Sequence, residues 1–327
     1  MSIIIRYALK REIKKLRSKT MKSTKKIISL TLVIILALAT LSMVACGPTE
    51  NTYDLAIGVV VTPSLSSGKI TETVATIVTD ADGKIVICRV DCVDYSATYD
   101  DAGALVTTAP ASKVTLGESY KMPAGSWAEQ VKALETYVVG KTQSEVAAAI
   151  ADGYAADADL KASCSFNISD LIKAIDNAFK SEHKVSFTTT STSFTAGLNA
   201  TASVADTADD TTNNAKLTVD YSAAILADGK VVAAIIDTAE AELKNITEEG
   251  AESLSFDGTK REQGDAYDSV SPMAAGRWYQ QVDAFAQSAV GKTASDIATI
   301  ASEGVAGCTV YAGGYKASIE AAVKAAR

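Results

Sequence analysis

The chain has 327 residues, with 31 Lys and Arg against 39 Asp and Glu, and it contains one histidine, His183. A single histidine leaves Ser-His-Asp and Cys-His catalysis without a plausible base, and it excludes a histidine-rich metal site. The acidic balance disfavours nucleic-acid binding, because negative charge repels a phosphate backbone.

The first 45 residues have the order of a secretory signal peptide. Lys22, Lys25 and Lys26 form a basic segment, and residues 27–45 follow without any charge. An apolar stretch that ends at small residues is typical of a cleaved leader, although this one approaches the ~20 residues of a retained membrane-spanning helix. Translation from Met21 would open a leader of ordinary length, and both start sites give the same mature chain.

The segment Met43-Val44-Ala45-Cys46 resembles the lipobox of bacterial lipoproteins. The resemblance implies that Cys46 becomes the first mature residue and carries diacylglycerol or palmitate chains, with residues 46–51 as a tether. Because each buried methylene contributes about 0.8 kcal/mol, two or three such chains hold a protein firmly at a membrane. The expected location is therefore the extracytoplasmic face of the cell membrane. The chain also resembles surface lipoproteins of anaerobic Gram-positive bacteria.

Cleavage before Cys46 changes the charge of the protein. Residues 1–45 hold 10 of the basic residues and 1 of the acidic residues, so residues 46–327 hold 21 basic and 38 acidic residues and a net charge of −17. Such a charge is ordinary for a soluble secreted body. The length that remains is enough for about two domains.

Two copies of one repeat follow the leader, as residues 52–180 and 193–327. Both tryptophans of the chain, Trp127 and Trp278, fall at the same position of the repeat, which chance rarely produces. The polar segment 181–192 between the copies reads as a linker. Further matches join Asp82-Gly83-Lys84 to Asp228-Gly229-Lys230, Val139-Gly140-Lys141-Thr142 to Val290-Gly291-Lys292-Thr293, and Ala162-Ser163-Cys164-Ser165 to Ala306-Gly307-Cys308-Thr309.

Each copy begins with a predicted β-hairpin. In the first copy, residues 71–80 and 84–94 alternate between apolar and polar side chains around an Asp-Gly turn. On the return strand, Arg89 and Asp91 share one face, and the opposite face carries Val86, Cys88, Val90 and Cys92. This alternation is typical of a strand with one buried face.

Helices follow each hairpin. Ser126 with Glu129, and Thr142 with Glu145, have the spacing of capping boxes, and Gly140 ends the first helix. The first helix carries an apolar stripe at helical spacing, formed by Trp127, Val131, Leu134 and Val138. The expected architecture is α+β: two tandem homologous domains, each an antiparallel sheet packed against two or three helices, preceded by a signal peptide.

Four cysteines remain beyond the lipobox, at positions 88, 92, 164 and 308. Cys88 and Cys92 would lie ~13 Å apart on one face of a strand, which is too far for a disulfide. The spacings do not match a zinc site. We therefore expect four buried thiols that pack as small apolar side chains.

The order of hairpin, tryptophan-containing helix, Gly-Lys and small-residue segment resembles the FMN-binding domain of extracytoplasmic electron-transfer lipoproteins. In that family, a Ser-Gly-Ala-Thr segment receives FMN through a phosphoester on the threonine. The resemblance implies Thr309 as the attachment residue, with Gly307 and Cys308 beside it and Ser165 as its counterpart in the first copy.

Two functions therefore stay open. The first is a non-catalytic, lipid-anchored module that binds a small ligand or an envelope protein and needs no metal. The second is an electron-transfer lipoprotein that carries FMN at Thr309. In either case Trp127 and Trp278 are candidates for stacking on a ligand, although tryptophan in an apolar helix stripe is more often part of the core.

Overall fold

The structure, a computed structural model, describes residues 49–209, 211–270, 273, 275–301 and 303–327. Cys46 and the predicted leader lie outside the described residues. Glu50–Arg327 form one compact unit that contains both predicted repeats. The α+β class is confirmed, because antiparallel sheets and helices together build this unit.

Two antiparallel sheets form the centre of the unit. The strands are β1 (Asn51–Ser64), β2 (Lys69–Thr79), β3 (Ile85–Tyr99), β4 (Leu105–Thr107), β5 (Ala111–Ser112), β6 (Lys121–Met122), β7 (Gly125–Ser126), β8 (Ile150–Ala151), β9 (Tyr154–Ala155), β10 (Val185–Thr189), β11 (Thr195–Asp206), β12 (Ala215–Ala227), β13 (Lys230–Lys244) and β14 (Ser253–Ser255). The first sheet has the order β10-β1-β2-β3-β4, with β5 beside β3, and the second has the order β11-β12-β13-β14. Strands β6 with β7, and β8 with β9, form small separate hairpins.

The helices follow the long strands of each sheet. They are α1 (Lys113–Leu116), α2 (Trp127–Tyr137), α3 (Gln143–Ala147), α4 (Ala158–Ser163), α5 (Ser169–Lys180), α6 (Lys260–Gln263), α7 (Asp265–Val270), α8 (Trp278–Gln287), α9 (Ala294–Ile297) and α10 (Gly313–Lys324). Within the described part of the chain, no helix combines the length and the apolar character that crossing a membrane requires.

The two sheets pack face to face, and helices cover their outer faces. The core between the sheets, which we call the inter-sheet core, joins Leu55 and Val93 of the first sheet to Leu217 and Ile235 of the second. A second core joins the first sheet to α2 and α5, and a third joins the second sheet to α8 and α10. The result is four layers in the order helix, sheet, sheet, helix.

Strand β3 is buried on both faces, whereas its sequence predicts one buried face. Cys88 and Val90 pack under the helices, as expected. The opposite face meets the second sheet, so Asp91, expected in solvent, is only 3% exposed. Alternation shows which residues share a face, but it does not show what covers the polar face.

The predicted helix starts and the apolar stripe are confirmed. Ser126 Oγ accepts a hydrogen bond from the Glu129 N–H, and the Glu129 carboxylate accepts one from the Ser126 N–H at 2.8 Å. Thr142 and Glu145 form the same capping box before α3. The stripe of α2 is buried at Trp127, Val131, Leu134 and Val138. Local capping and helical spacing therefore fix these elements.

Matching Gly-Lys segments close the same loop in both halves. The Gly140 N–H donates to the Ile85 carbonyl at 2.7 Å, and the Gly291 N–H donates to the Val231 carbonyl at 2.8 Å. Both glycines have φ of 80°, a backbone conformation that favours glycine. The helix that precedes each glycine is thereby tied to the start of the return strand.

Each terminal helix lies very close to the first strand of its sheet. A Cβ atom at Gly58 would lie 2.3 Å from the Ala174 carbonyl oxygen of α5. A Cβ atom at Gly197 would lie 1.7 Å from the Ala322 carbonyl oxygen of α10. Only glycine allows this approach, since it has no Cβ.

Segment 181–192, which the sequence predicts to be a linker, contributes strand β10 to the first sheet. β10 runs antiparallel to β1, with Phe187 opposite Tyr53. Phe187 is buried in the inter-sheet core. The sequence does not predict this strand, because the segment is rich in Ser and Thr and its apolar alternation depends on Val185 and Phe187 alone.

The four described cysteines are free and buried, as predicted. Burial raises the pKa of Cys92 and of Cys164 to about 11, so these thiols stay protonated at neutral pH. Cys88 lies where the second half has Ala234, and both pack in the outer cores. The thiols therefore act as small core side chains.

Candidate functional site

The residues implied by the flavin resemblance make the same contacts in both halves. The Thr309 N–H and hydroxyl both donate to Gln281 Oε1, at 2.9 and 2.8 Å. The Ser165 N–H and hydroxyl donate to Gln130 Oε1, at 2.9 and 3.1 Å. Each glutamine is buried in the helix behind its tryptophan, so it holds the small-residue segment against the helix.

Both glutamines also reach the turn before their helix. Gln130 Nε2 donates to the Gly125 carbonyl at 3.2 Å, and Gln281 Nε2 donates to the Gly276 carbonyl at 2.9 Å. One side chain thereby bridges two loops in each half. Neither the repeat pattern nor the flavin resemblance predicts this bridging role, although the matched glutamines mark the position in the sequence.

The two tryptophans are core residues by their burial, at 3% and 2% exposed for Trp127 and Trp278. The Trp127 ring packs near Phe166, with ring centroids 6.2 Å apart. The Trp278 ring packs edge-on against Tyr267 and Tyr315. Protein atoms therefore cover the rings that the sequence offers for ligand stacking.

These observations test whether the described residues fit a flavin. Gly307 and Thr309 are exposed, and Cys308 is buried in the core. The hydroxyl that would carry the phosphoester is bonded to Gln281, and its counterpart at Ser165 makes the same bond. Protein atoms cover the rings of Trp127 and Trp278, so these rings cannot stack on a flavin. The described residues around Thr309 therefore do not fit an isoalloxazine ring.

A lysine lies between an acid and two aromatic rings in each half. Lys113 Nζ lies 3.1 Å from Asp94 Oδ2 and faces the rings of Tyr120 and Trp127, at 5.1 and 5.8 Å from their centroids. Burial by itself would lower the pKa of this lysine, but the charges around it, including Asp94, raise it. The group is thus a fixed cation that ties the sheet edge to α2.

The second half repeats this cluster. Lys260 Nζ lies 2.9 Å from Glu240 Oε1 and faces the rings of Tyr267 and Trp278, at 5.0 and 5.7 Å. Neither cluster is predicted from the sequence, because both lysines lie in the segment between the hairpin and the helix, outside the matched segments of the two copies. The matched lysines and tyrosines there are the signal that would have found them.

Removing the buried lysine is expected to destabilise the protein. Lys113→Met keeps the apolar stem but removes an ion pair and two cation–π contacts, so we expect a loss of about 1–2 kcal/mol in the free energy of unfolding, measured by urea denaturation. Lys180→Met removes an exposed ion pair to Asp176 and serves as the control, with an expected loss below about 0.5 kcal/mol. Equal losses would contradict the structural role.

Two matched aspartates are buried where each sheet meets a short helix. Ser112 Oγ donates to Asp91 Oδ2 at 2.5 Å, and the Arg261 N–H donates to Asp237 Oδ1 at 3.1 Å. Burial raises the pKa of Asp91, and it raises the pKa of Asp237 to about 6. Each carboxylate accepts from groups at the start of a helix, so each anchors that helix to its strand.

A carboxyl–phenol pair links the two sheets. Tyr221 of β12 donates its hydroxyl to Glu72 Oε2 of β2 at 2.5 Å, and Glu72 is 0% exposed. Burial raises the pKa of Glu72 to about 7, and the bond from Tyr221 offsets part of that shift. Among the described residues, Glu72 Oε1 and the nearby core hydroxyl of Tyr95 have no hydrogen-bond partner. The pair is closed to solvent and therefore to substrate.

Arginines of each half reach the end of the other half's terminal helix. Arg261 is 1% exposed, pairs with Asp283 at 2.6 Å and donates to the His183 carbonyl at 3.3 Å. His183 belongs to the segment predicted to be a linker, yet it is half-buried, and its ring stacks on Tyr279 with centroids 4.1 Å apart. Because His183 follows α5, this contact holds the first half against the second.

The reciprocal contact comes from the first half. Arg89 of β3 donates to the Arg327 carbonyl after α10 and, through Nε, to the Ala196 carbonyl at 3.0 Å. Glu135, which is buried in α2, accepts from Arg327 Nη2 at 2.8 Å. The two halves are thus joined by a pair of similar arginine contacts.

Two open cavities contain charged side chains. One of about 290 Å³ is lined by Asn177, Lys180, Ser181, Glu182, His183 and Glu262. The other, of about 350 Å³, is lined by Asp265, Asp268, Met273, Gly276, Arg277, Tyr279 and Gln280. In the second, Arg277 Nε lies 2.8 Å from Asp265 and 3.8 Å from Asp268, so charges of the lining offset one another.

Across the ranges that the structure describes, no group of three His, Cys, Asp or Glu side chains has the geometry to hold a metal ion. No protein-family model, curated protein or solved structure matches this chain. The contacts above, and the repetition of several of them in the two halves, are therefore the basis for a functional proposal.

Proposed function

We propose that this protein is a lipid-anchored, extracytoplasmic, non-catalytic module of two homologous domains that binds a ligand or partner at the cell envelope. The lipid anchor is proposed from the position of Cys46 in the chain. It ends the uncharged segment 27–45, and the compact unit begins at Glu50 with its first strand at Asn51. A lipid on Cys46 would therefore sit on a short tether outside the folded body.

Duplication of one ancestral domain is supported by contacts that sequence matching alone does not require. The glutamine bridges, the lysine clusters and the Gly-Lys loop closures recur at matching positions of the two halves. Independent sequences would have no reason to place the same side chains in the same contacts. The domains are accordingly assigned to residues 52–180 and 193–327.

A binding role, in preference to catalysis, is supported by how the polar side chains are used. The two buried aspartates and the Glu72–Tyr221 pair are enclosed, and the two lysines are paired with acids and face aromatic rings. These groups stabilise the fold, and their burial keeps them from a substrate. The exposed edges and loops of the two packed sheets are therefore the surfaces proposed to bind a ligand or partner.

The anchor is tested by substituting the lipobox cysteine. In a bacterial host that receives an alkyne-labelled fatty acid, we expect the wild-type chain to be labelled and to partition into detergent on phase separation. Cys46→Ala is expected to be unlabelled, to remain at precursor size and to lose detergent partitioning. Cys308→Ala removes a buried core thiol and should be labelled like the wild type.

A label on Cys46→Ala, or an unlabelled wild-type chain with its leader still attached, would overturn the anchor. Protease added to intact cells of a host without an outer membrane tests the location separately. Digestion of the wild-type chain is expected while a cytoplasmic marker stays intact. Protection of both would contradict the extracytoplasmic assignment.

A further inference from the structure

Strand β11 (Thr195–Asp206) forms one edge of the second sheet, since β12 is its only strand neighbour in the described structure. It is 12 residues long, and its one charged residue is Asp206 at its end. Edge strands of soluble proteins usually carry charges, prolines, bulges or a cover, because unpaired backbone groups invite another strand. β11 therefore lacks the charges that usually protect an exposed edge strand of this length.

The direction of the unpaired groups follows from Ala196. Its carbonyl accepts from Arg89 Nε and from the Arg327 N–H, at 3.0 and 3.2 Å, so it points away from β12. In an antiparallel ladder, the N–H and C=O of one residue point to the same side, and the side alternates along the strand. The outward-facing residues are therefore Leu198, Ala200, Ala202 and Val204. In the described part of the chain, nothing bonds to their outward backbone groups.

The first sheet shows how the same edge can be protected. Val59 of β1 corresponds to Ala200 of β11. Following the strand pairing across two strands leads from Val59 to Asp91 and from Ala200 to Asp237, and these two aspartates occupy matching positions. Beside β1, the strand β10 pairs with residues 51–55. No described strand takes that place beside β11.

Two further protections of β1 are missing from β11. Asn177, the ninth residue of α5, donates from Nδ2 to the Val59 carbonyl at 2.8 Å. The ninth residue of α10 is Ala321, which has no side-chain donor. Pro63 has no N–H to offer, whereas its match in β11 is Val204, by the same register. The open edge is thus a specific difference between the matching strands β1 and β11.

The strand is also complementary to itself. Its inner-face residues Leu198, Ala200, Ala202 and Val204 are only partly buried against the inter-sheet core, so a neighbouring strand would cover more of their apolar surface. From Thr195 to Ala205 it has no charge, although the chain after the leader has a net charge of −17. A second copy therefore brings together the uncharged parts of two acidic bodies.

We propose that two copies of this chain associate through antiparallel pairing of their β11 edges. In this pairing, the outward-facing residues form the hydrogen-bonded pairs. When all four outward-facing residues pair, Leu198 lies opposite Val204 of the partner subunit and Ala200 lies opposite Ala202 of the partner subunit. Thr201 then lies opposite its own copy on the two-fold axis. The pairing joins two four-stranded sheets into one of eight strands. The inference goes beyond the proposed function and does not depend on the lipid anchor.

Disulfide trapping tests both the pairing and its register. Thr201 is exposed, and as a non-hydrogen-bonded pair its two copies would have Cα atoms about 4.5 Å apart, within disulfide reach. Thr201→Cys, oxidised in the cells that make the full chain, is expected to give a covalent dimer on a non-reducing gel. Ser203→Cys is the matched control: its two copies would be ~13 Å apart along the strands, so it should give only the wild-type background.

A second experiment tests the association without cysteines. Ala202→Lys places a charge beside the pairing edge and should make the purified protein monomeric in sedimentation velocity. Val61→Lys introduces the same charge at the matching position of β1 and should leave the dimer intact. A wild-type protein that is monomeric at every concentration, a dimer that survives Ala202→Lys, or cross-linking of Ser203→Cys in place of Thr201→Cys would overturn the proposal.

Discussion

Gly197→Ala is expected to destabilise the protein by about 3 kcal/mol, at the upper end for overpacking a core. The added Cβ would lie 1.7 Å from the Ala322 carbonyl oxygen and 2.8 Å from the Ala326 nitrogen, both of them backbone atoms of the α10 segment. Backbone cannot move aside as a flexible side chain can, so α10 must shift off the sheet. The measurement is the free energy of unfolding from urea denaturation, followed by far-UV circular dichroism.

The same substitution can be made where there is space. Gly314→Ala lies in the first turn of α10, and apart from its chain neighbours and the helix's own backbone no atom lies within 4 Å of its added Cβ. It should be neutral or should stabilise by up to about 1 kcal/mol, because alanine favours helix more than glycine does. Gly58→Ala should behave like Gly197→Ala, since its Cβ would meet the backbone of α5. A loss below about 1 kcal/mol at Gly197 would contradict the close helix–strand contact.

Glu72→Gln is expected to remove a large part of the pH dependence of stability. Burial raises the pKa of Glu72 from 4.5 to about 7, so the folded protein favours the neutral carboxyl. Its contribution is fully present below about pH 4.5 and is lost as the pH rises through 7. The difference amounts to about 3 kcal/mol at pH 9, and Gln keeps an acceptor for Tyr221 without a charge to bury.

The test is the free energy of unfolding of both proteins between pH 5 and pH 9. The wild-type curve should fall across this range, and the Glu72→Gln curve should be flatter, keeping a smaller slope near pH 6 from Asp237, whose pKa is also raised by burial. Glu145→Gln is the control, because hydrogen bonds from Thr142 lower the pKa of that exposed carboxylate. It should leave the slope above pH 6 unchanged. Parallel curves for Glu72→Gln and the wild type would refute the assignment.

Local signals in the sequence were sufficient for the elements. Ser126 starts its helix because its hydroxyl accepts from the free Glu129 N–H, and at the start of the next helix the Glu145 carboxylate accepts from the free Thr142 N–H. Each of these contacts is complete within four residues. The stripe beginning at Trp127 likewise identifies its buried face by spacing alone. Such predictions hold because nothing distant in the chain has to be known.

The partner of each sheet could not be read from the sequence. Asp91 lies on a strand face that the polar pattern assigns to solvent, yet it is buried, and Glu72 is buried against Tyr221 of the second sheet. Strand β10 was hidden for a related reason: its pairing with β1 is non-local, and its composition is that of a loop. Register within a hairpin is local, whereas the packing of one sheet on another is a property of the whole chain.

The candidate site shows the same division. The repeat pattern located Thr309, Ser165 and the tryptophans, but it could not show that Gln281 and Gln130 already bind the two hydroxyls. A motif gives residue types in order, and the use of a hydroxyl depends on which side chain folds back to meet it.

The inter-sheet core has a consequence for synthesis. Its residues come from both halves, so the first half leaves the ribosome with a broad apolar face and nothing to cover it. At 5–20 residues per second, the remaining half takes on the order of ten seconds to be made. Throughout that time the nascent first half exposes apolar surface that chaperones recognise, because the residues that cover it belong to the second half.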